Sequence, residues 1–105
     1  GRSDNMVKLR GINVFPHAIG AIIENRPDLT GEYVCHLKRD ASQKDSMTVT
    51  LESRGGSDKA ELAATLRRGL GVEVEVVLAE PGGTAKATEI DTRQKPLRLI
   101  DERGL

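Results

Sequence analysis

The residues best equipped for chemistry sit near the two ends of this chain. Arg2, Asp4 and Arg10-Gly11 lie at the front, and Lys95, Arg98 and Asp101 near the back. Guanidinium and ammonium groups handle phosphate and carboxylate oxygens, the first as a planar fork and the second as a compact point charge. Taken one at a time, each has a plainer reading. Asp4, between Ser3 and Asn5, is a turn or local cap. Arg10-Gly11-Ile12-Asn13-Val14-Phe15-Pro16 is a strand end, a glycine turn and a proline-started helix. Lys95 is an exposed loop lysine, and Lys86 after Thr84-Ala85 is a rival to it. His17 and His36 are far apart and have no metal-ligand spacing. Cys35 alternates with Tyr33 and Leu37 and reads as a core thiol. Gly82-Gly83 is too short for a phosphate loop. Ser57 has no nucleophile motif around it, and Glu73 and Glu75 read as surface charges on one strand face.

The elements that must position these residues follow from apolar spacing. Val7 and Leu9 alternate with Lys8 and Arg10, a short strand ending at Gly11. Phe15, Ile19, Ile22 and Ile23 share one helical face, with Pro16 at the helix start and Pro27 as its stop. Tyr33, Cys35 and Leu37, then Met47, Val49 and Leu51, mark two one-faced strands joined by a polar hairpin loop over residues 39–45. Gly55-Gly56 breaks the second strand. Asp58, with Glu61 three residues on, starts a helix striped by Leu62, Leu66 and Leu70, with Ser57 as an alternative cap. Gly71 closes that helix. Val72, Val74, Val76 and Leu78 form a strand ending at Pro81-Gly82-Gly83. Residues 84–93 are polar and without period. Leu97, Leu99 and Ile100 form a last short strand. The order predicts an α+β, ferredoxin-like βαββαβ domain, a small antiparallel sheet with both helices on one face plus the short C-terminal strand.

Composition narrows the function classes. At 105 residues the chain is one domain, able to bury a core without disulfides. Sixteen acidic and sixteen basic side chains balance, so no global field attracts a polyanion or an anionic membrane. Phe15 and Tyr33 are the only aromatics, too few to stack bases, which argues against nucleic acid. No apolar run approaches the ~18 residues a membrane span needs. The single Cys fits a reducing, cytoplasmic setting. The chain starts inside a motif and without an initiator Met, which leads to the expectation of a piece of a larger protein.

That motif is the strongest signal. Gly1-Arg2-Ser3-Asp4 followed by Arg10-Gly11-Ile12-Asn13-Val14-Phe15-Pro16 resembles the hinge and R-G-x-N-x-F-P signature of phenylacetate-CoA ligases, a branch of the adenylate-forming acyl-CoA synthetases. Lys95, Arg98 and Asp101 resemble the family's closing string, roughly G-K-x-x-R-hydrophobic-hydrophobic-D. Here Gln94 stands in place of the usual Gly, and Pro96 follows the lysine.

The resemblance implies a C-terminal lid domain over 1–105, with a hinge at 1–5, an α+β core at 6–83, and a catalytic-lysine loop with the final strand at 84–105. It implies Asp4 as the hinge residue and Arg2 beside the nucleotide. Arg10 and Gly11 would meet the pantetheine arm of CoA, where a residue without Cβ lets backbone come close. Lys95 would be catalytic in adenylation, its ammonium bridging carboxylate and α-phosphate oxygens as charge builds between two anions. The implied reaction joins an aryl or related carboxylic acid to CoA with ATP and Mg²⁺, releasing AMP and pyrophosphate. The expected partner is a separate N-terminal adenylation domain, without which the chain is inactive. A homodimer through a short exposed sheet edge stays open. So does the alternative of a stand-alone ferredoxin-like module for small-molecule binding or dimerisation, which rests on fold alone.

Overall fold

The computed structural model describes residues 6–88 and 98–102. The chain begins with two three-residue strands, β1 (Val7–Leu9) and β2 (Ile12–Val14), paired antiparallel as a separate hairpin. Helix α1 (Ala18–Ile23) follows, then the long strands β3 (Leu29–Arg39) and β4 (Asp45–Ser53). Next come helix α2 (Lys59–Leu70), strand β5 (Glu75–Ala79), the single turn α3 (Ala85–Thr88) and strand β6 (Leu99–Asp101). The main sheet has the order β5-β4-β3-β6.

The predicted α+β class holds, and both α1 and α2 pack in one core cluster against the same sheet face. The predicted antiparallel sheet is corrected. In the main sheet, among the described residues, β3 and β4 pair antiparallel, whereas β5 runs parallel to β4 and β6 parallel to β3. The physical reason for the β4–β5 pair lies in the connection. A helix crossing the sheet face returns the chain to the end from which β4 started, so the next strand must run alongside it. The first strand is corrected as well. It turns back at Arg10-Gly11 into β2 instead of joining the main sheet. Arg10 (φ 51°) and Gly11 (φ 80°) both have left-handed backbone, the pattern of a two-residue hairpin turn whose twist matches its strands.

Helix α1 is shorter than its apolar spacing predicts. It starts at Ala18, with Pro16 in the turn before it, and ends at Ile23, ahead of Pro27. Ile19 and Ile23 are buried, whereas Phe15 lies outside the helix and is 53% exposed. Helix α2 follows the sequence closely. The Asp58 carboxylate accepts hydrogen bonds from the N–H groups of Ala60 and Glu61, and Gly71 (φ 83°) closes the helix with its N–H on the Arg67 carbonyl. Leu62, Leu66 and Leu70 are buried against Tyr33, Cys35, Leu37, Met47, Val49 and Leu51. Each such apolar side chain contributes about 1.5–3 kcal/mol by leaving water.

The opposite sheet face is covered where the sequence predicted only loop. Residues 81–88 fold back as a turn and α3, and bury Thr84, Thr88 and the β4 residue Glu52. The segment assigned to the lysine loop from residue 84 onward therefore begins inside the packed domain. Among the described residues, no helix is long and apolar enough to cross a membrane.

Candidate functional site

Two described regions stand out, the first carrying residues singled out from the sequence. The first is the Arg10-Gly11 turn. Cross-strand pairing of Leu9 with Ile12 holds it at the tip of the β1–β2 hairpin. Val7, Leu9 and Val14 bury the hairpin's inner side in the core, so the tip is carried by a rigid base. A Cβ placed on Gly11 would meet nothing within 4 Å. The glycine is required there by its positive φ, not by crowding within the chain. Its outer side is open to an approaching ligand. The Arg10 guanidinium donates from Nη2 to the carbonyl of Glu73 at 2.8 Å, which holds the turn against the lead-in to β5.

Beside this turn lies a cleft of about 480 Å³, lined by Lys8, Arg10, Gly11, Arg39, Asp45 and Asp101. Three cationic side chains face two carboxylates there, and Arg39 is paired to Asp45 at 2.7 Å. Asp101 reaches this cleft because β6 pairs in parallel with β3, placing it opposite Leu37. The chain's two motif-bearing ends therefore meet at one place, Arg10 and Gly11 from the front and Asp101 from the back.

The second region is the far side of the sheet. Glu52 is 3% exposed and accepts four hydrogen bonds. Its Oε1 takes the Gly82 N–H at 2.8 Å and the Thr30 hydroxyl at 3.0 Å. Its Oε2 takes the Thr84 N–H at 3.0 Å and the Thr84 hydroxyl. Burial by itself pushes the Glu52 carboxyl pKa up. The hydrogen bonds from Thr84, Gly82 and Thr30 outweigh that effect and hold it below the usual carboxylate range. Gly82 has φ 86°, and a Cβ on Gly83 would come within 2.9 Å of the Ala79 side chain and the Glu80 carbonyl. The Gly-Gly pair is thus an anion-binding turn, and its anion is the protein's own carboxylate.

Arg98 forms a second attachment to the sheet. Its Nη1 donates to Glu32 Oε1 at 3.0 Å and to the Tyr33 carbonyl at 2.9 Å, and its guanidinium lies 4.7 Å from the centre of the Tyr33 ring. Its carbonyl accepts the Cys35 N–H at 2.8 Å. Arg98 is therefore committed to strand β3 within this domain.

The other sequence-derived sites divide in two. Asp4, Arg2 and Lys95 lie outside the described residues, and so does the rival lysine's side chain at Lys86. Cys35 is a core residue as expected, fully buried, and burial pushes its thiol up to about 12, which leaves it inert at neutral pH. Among the described residues, no three His, Cys, Asp or Glu side chains converge on a common point.

Sequence reasoning missed Glu52. It alternates with Val49 and Leu51 as any outward polar residue would, and alternation is blind to what a later segment lays over that face. The signal that could have found it is a pair: a carboxylate on one strand and a Gly-Gly-Thr turn after the next.

Comparison with known proteins agrees with the resemblance read from the motifs. Residues 11–103 match the family of AMP-binding enzyme C-terminal domains. Two curated relatives are phenylacetate-coenzyme A ligases. The one from Aromatoleum evansii is 32% identical over 98% of this chain and 25% of its own length. The one from Pseudomonas putida is 33% identical over 85% of this chain and 22% of its own length. The chain thus spans about a quarter of the relatives it matches.

Among solved structures, a domain of phenylacetate-coenzyme A ligase from Bacteroides vulgatus superimposes with a TM-score of 0.78 and 26% identity, covering 99% of this chain and 98% of that one. A 2-hydroxyisobutyryl-CoA ligase, solved with 2-HIB-AMP and CoA in its thioesterification state, gives the same TM-score and identity over 98% of this chain and 22% of that one. The chain belongs to the AMP-binding enzyme C-terminal domain family, in the branch found in phenylacetate-CoA ligases.

Proposed function

We propose that this chain is the mobile lid of an ATP-dependent, AMP-forming ligase that joins a phenylacetate-like aryl acid to CoA. The observation that carries the reading is the family match across residues 11–103, together with an Arg10-Gly11 turn that stands open at the tip of a buried-base hairpin. In the first half-reaction the acid's carboxylate attacks the α-phosphorus of ATP. The new C–O–P bond forms as pyrophosphate leaves, giving an acyl-adenylate. Lys95 stabilises the charge that gathers between carboxylate and phosphate oxygens, and Arg2 holds the nucleotide. In the second, the CoA thiolate attacks the acyl carbon and AMP leaves.

The domain swings about Asp4 between the two steps, withdrawing Lys95 and bringing Arg10 and Gly11 to the pantetheine arm. Such gating needs few residues to change backbone angles, because a rigid domain amplifies a local rotation. Mg²⁺ would accompany ATP and supply charge neutralisation at its phosphates, held by the adenylation domain. The acid pocket and most of the ATP site belong to that domain too.

The test is to mix the pure chain with ATP, Mg²⁺, CoA and phenylacetate, alone and after joining it to its adenylation domain. Acyl-CoA should form only in the second case. Turnover by the chain alone would overturn the division of labour. No turnover by the joined protein with any aryl acid would overturn the reaction class.

A further inference from the structure

The roles assigned above leave the Glu52 site unaccounted for, yet each oxygen of its buried carboxylate accepts two hydrogen bonds. Its four donors come from two places: Thr30 on β3, and Gly82 and Thr84 after β5. A carboxylate on β4 thus ties the strand beside it to a segment that comes about thirty residues later. Thr84 and Thr88 of that segment are buried, with Thr88's N–H on the Thr84 carbonyl at 2.9 Å. Farther along the sequence, Arg98 is bound to Glu32, Tyr33 and Cys35 of β3. Both points flanking residues 89–97 are therefore fastened to neighbouring strands of one sheet, the first by a buried carboxylate and the second by a guanidinium.

An apolar residue at position 52 could cover the same turn by contact alone. It would leave two backbone N–H groups and two hydroxyls without acceptors, and nothing in apolar contact fixes a turn to within a fraction of an ångström. Four directional bonds do. Fixing one point to that precision matters when a group farther along the chain must meet a reacting centre, since a displacement of about 1 Å can cost on the order of 100-fold in rate.

We propose that Glu52 is a positioning residue for the adenylation half-reaction: through Gly82 and Thr84 it fixes an anchored point that precedes Lys95 in the chain. This rests on the reading of Lys95 given above.

The experiment uses the full polypeptide, adenylation domain included. Glu52→Gln keeps the side chain's size but replaces one acceptor oxygen with an NH₂ group, turning a donor toward donors. Adenylation is read by pyrophosphate exchange into ATP, and thioesterification by CoA consumption from supplied acyl-adenylate. Glu52→Gln should lower adenylation about 10–100-fold and leave thioesterification within about twofold. Hydrogen exchange should show protection lost at the Gly82 and Thr84 amides and kept along the β3–β4 ladder. Thr84→Val, which removes one hydroxyl donor only, should give the same split in smaller measure and serves if Glu52→Gln does not fold.

Equal losses in both half-reactions, or a selective loss of thioesterification, would make Glu52 a structural residue and overturn the proposal. So would unchanged adenylation with the amides exposed. Lys95→Ala, run in parallel, separates the two readings. If it spares adenylation, the lysine assignment has failed and the positioning claim falls with it. If it abolishes adenylation while Glu52→Gln shows no split, only the positioning claim falls.

Discussion

The two faces of the main sheet are built on different physics. The face toward α1 and α2 is apolar throughout, with Tyr33, Cys35, Leu37, Met47, Val49 and Leu51 against leucines and isoleucines of the helices. The face toward residues 81–88 holds a buried carboxylate, two buried threonines and a turn with its N–H groups aimed inward. Apolar contact is non-directional and scales with area, so the first face gives stability and tolerates small shifts. Hydrogen bonds to an ion are directional and shorter-ranged, so the second gives position. Under the function proposed above a lid would need both, and here they are kept on opposite sides of the sheet.

Substitutions can break this contrast. The largest effect on stability should come from the apolar face. Leu51→Ala or Leu66→Ala removes a fully buried side chain from the middle of the cluster and should cost about 2–5 kcal/mol by denaturant unfolding. A loss well under 1 kcal/mol would mean that this face is loosely packed. On the polar face, Glu52→Ala leaves four donors without their acceptor. With water entering the space left by the carboxylate to take up those donors, it should cost about 1–3 kcal/mol, less than the core loss although the residue is nearly as buried. If the two costs were reversed, stability would reside in the polar cluster and the contrast would be wrong. The Gly11→Ala change at φ 80° should cost about 1–2 kcal/mol through backbone strain. Asp58→Ala, loss of the cap at the exposed start of α2, should cost about 1 kcal/mol.

The pH dependence sharpens the same comparison. The folded Glu52 pKa is depressed, so its contribution is complete above the ordinary carboxylate range of about 4.3. It is lost as the pH falls through the lower, folded value. The stability gap between the natural chain and Glu52→Gln should therefore be flat near neutrality and shrink in acid, below about pH 4. A gap that persists unchanged in acid would show that the charge of Glu52 is not what holds the turn.

How much of this was legible in the sequence follows from the same division. The apolar face was readable because alternation at Tyr33, Cys35, Leu37 and at Met47, Val49, Leu51 is a local pattern with period two. The Asp58 cap and the Gly71 closure were readable because each is made by residues within one turn of the helix end. The parallel pairing of β5 and β6 was not, since strand direction depends on where a crossover returns the chain. Nor was the Arg10-Gly11 hairpin, because its return strand is only three residues long and Pro16 imitates a helix start. Glu52 was hidden for the reason that makes it useful: its partners, Gly82 and Thr84, come thirty and thirty-two residues later. The roles proposed for Arg2, Asp4 and Lys95 come from resemblance alone, since singly each has an ordinary loop or turn explanation, and all three lie outside the described residues.

The central claim is that this domain supplies a single positive charge to one half-reaction and withdraws it for the next. Its most direct measurement compares pyrophosphate exchange into ATP with thioesterification of supplied acyl-adenylate in Lys95→Ala of the full polypeptide. The account predicts an exchange rate lower by about 10²–10³-fold, the usual loss of a group that stabilises developing charge, with thioesterification essentially unchanged. Equal rates of exchange in the natural and substituted proteins, or equal losses in both half-reactions, would contradict it.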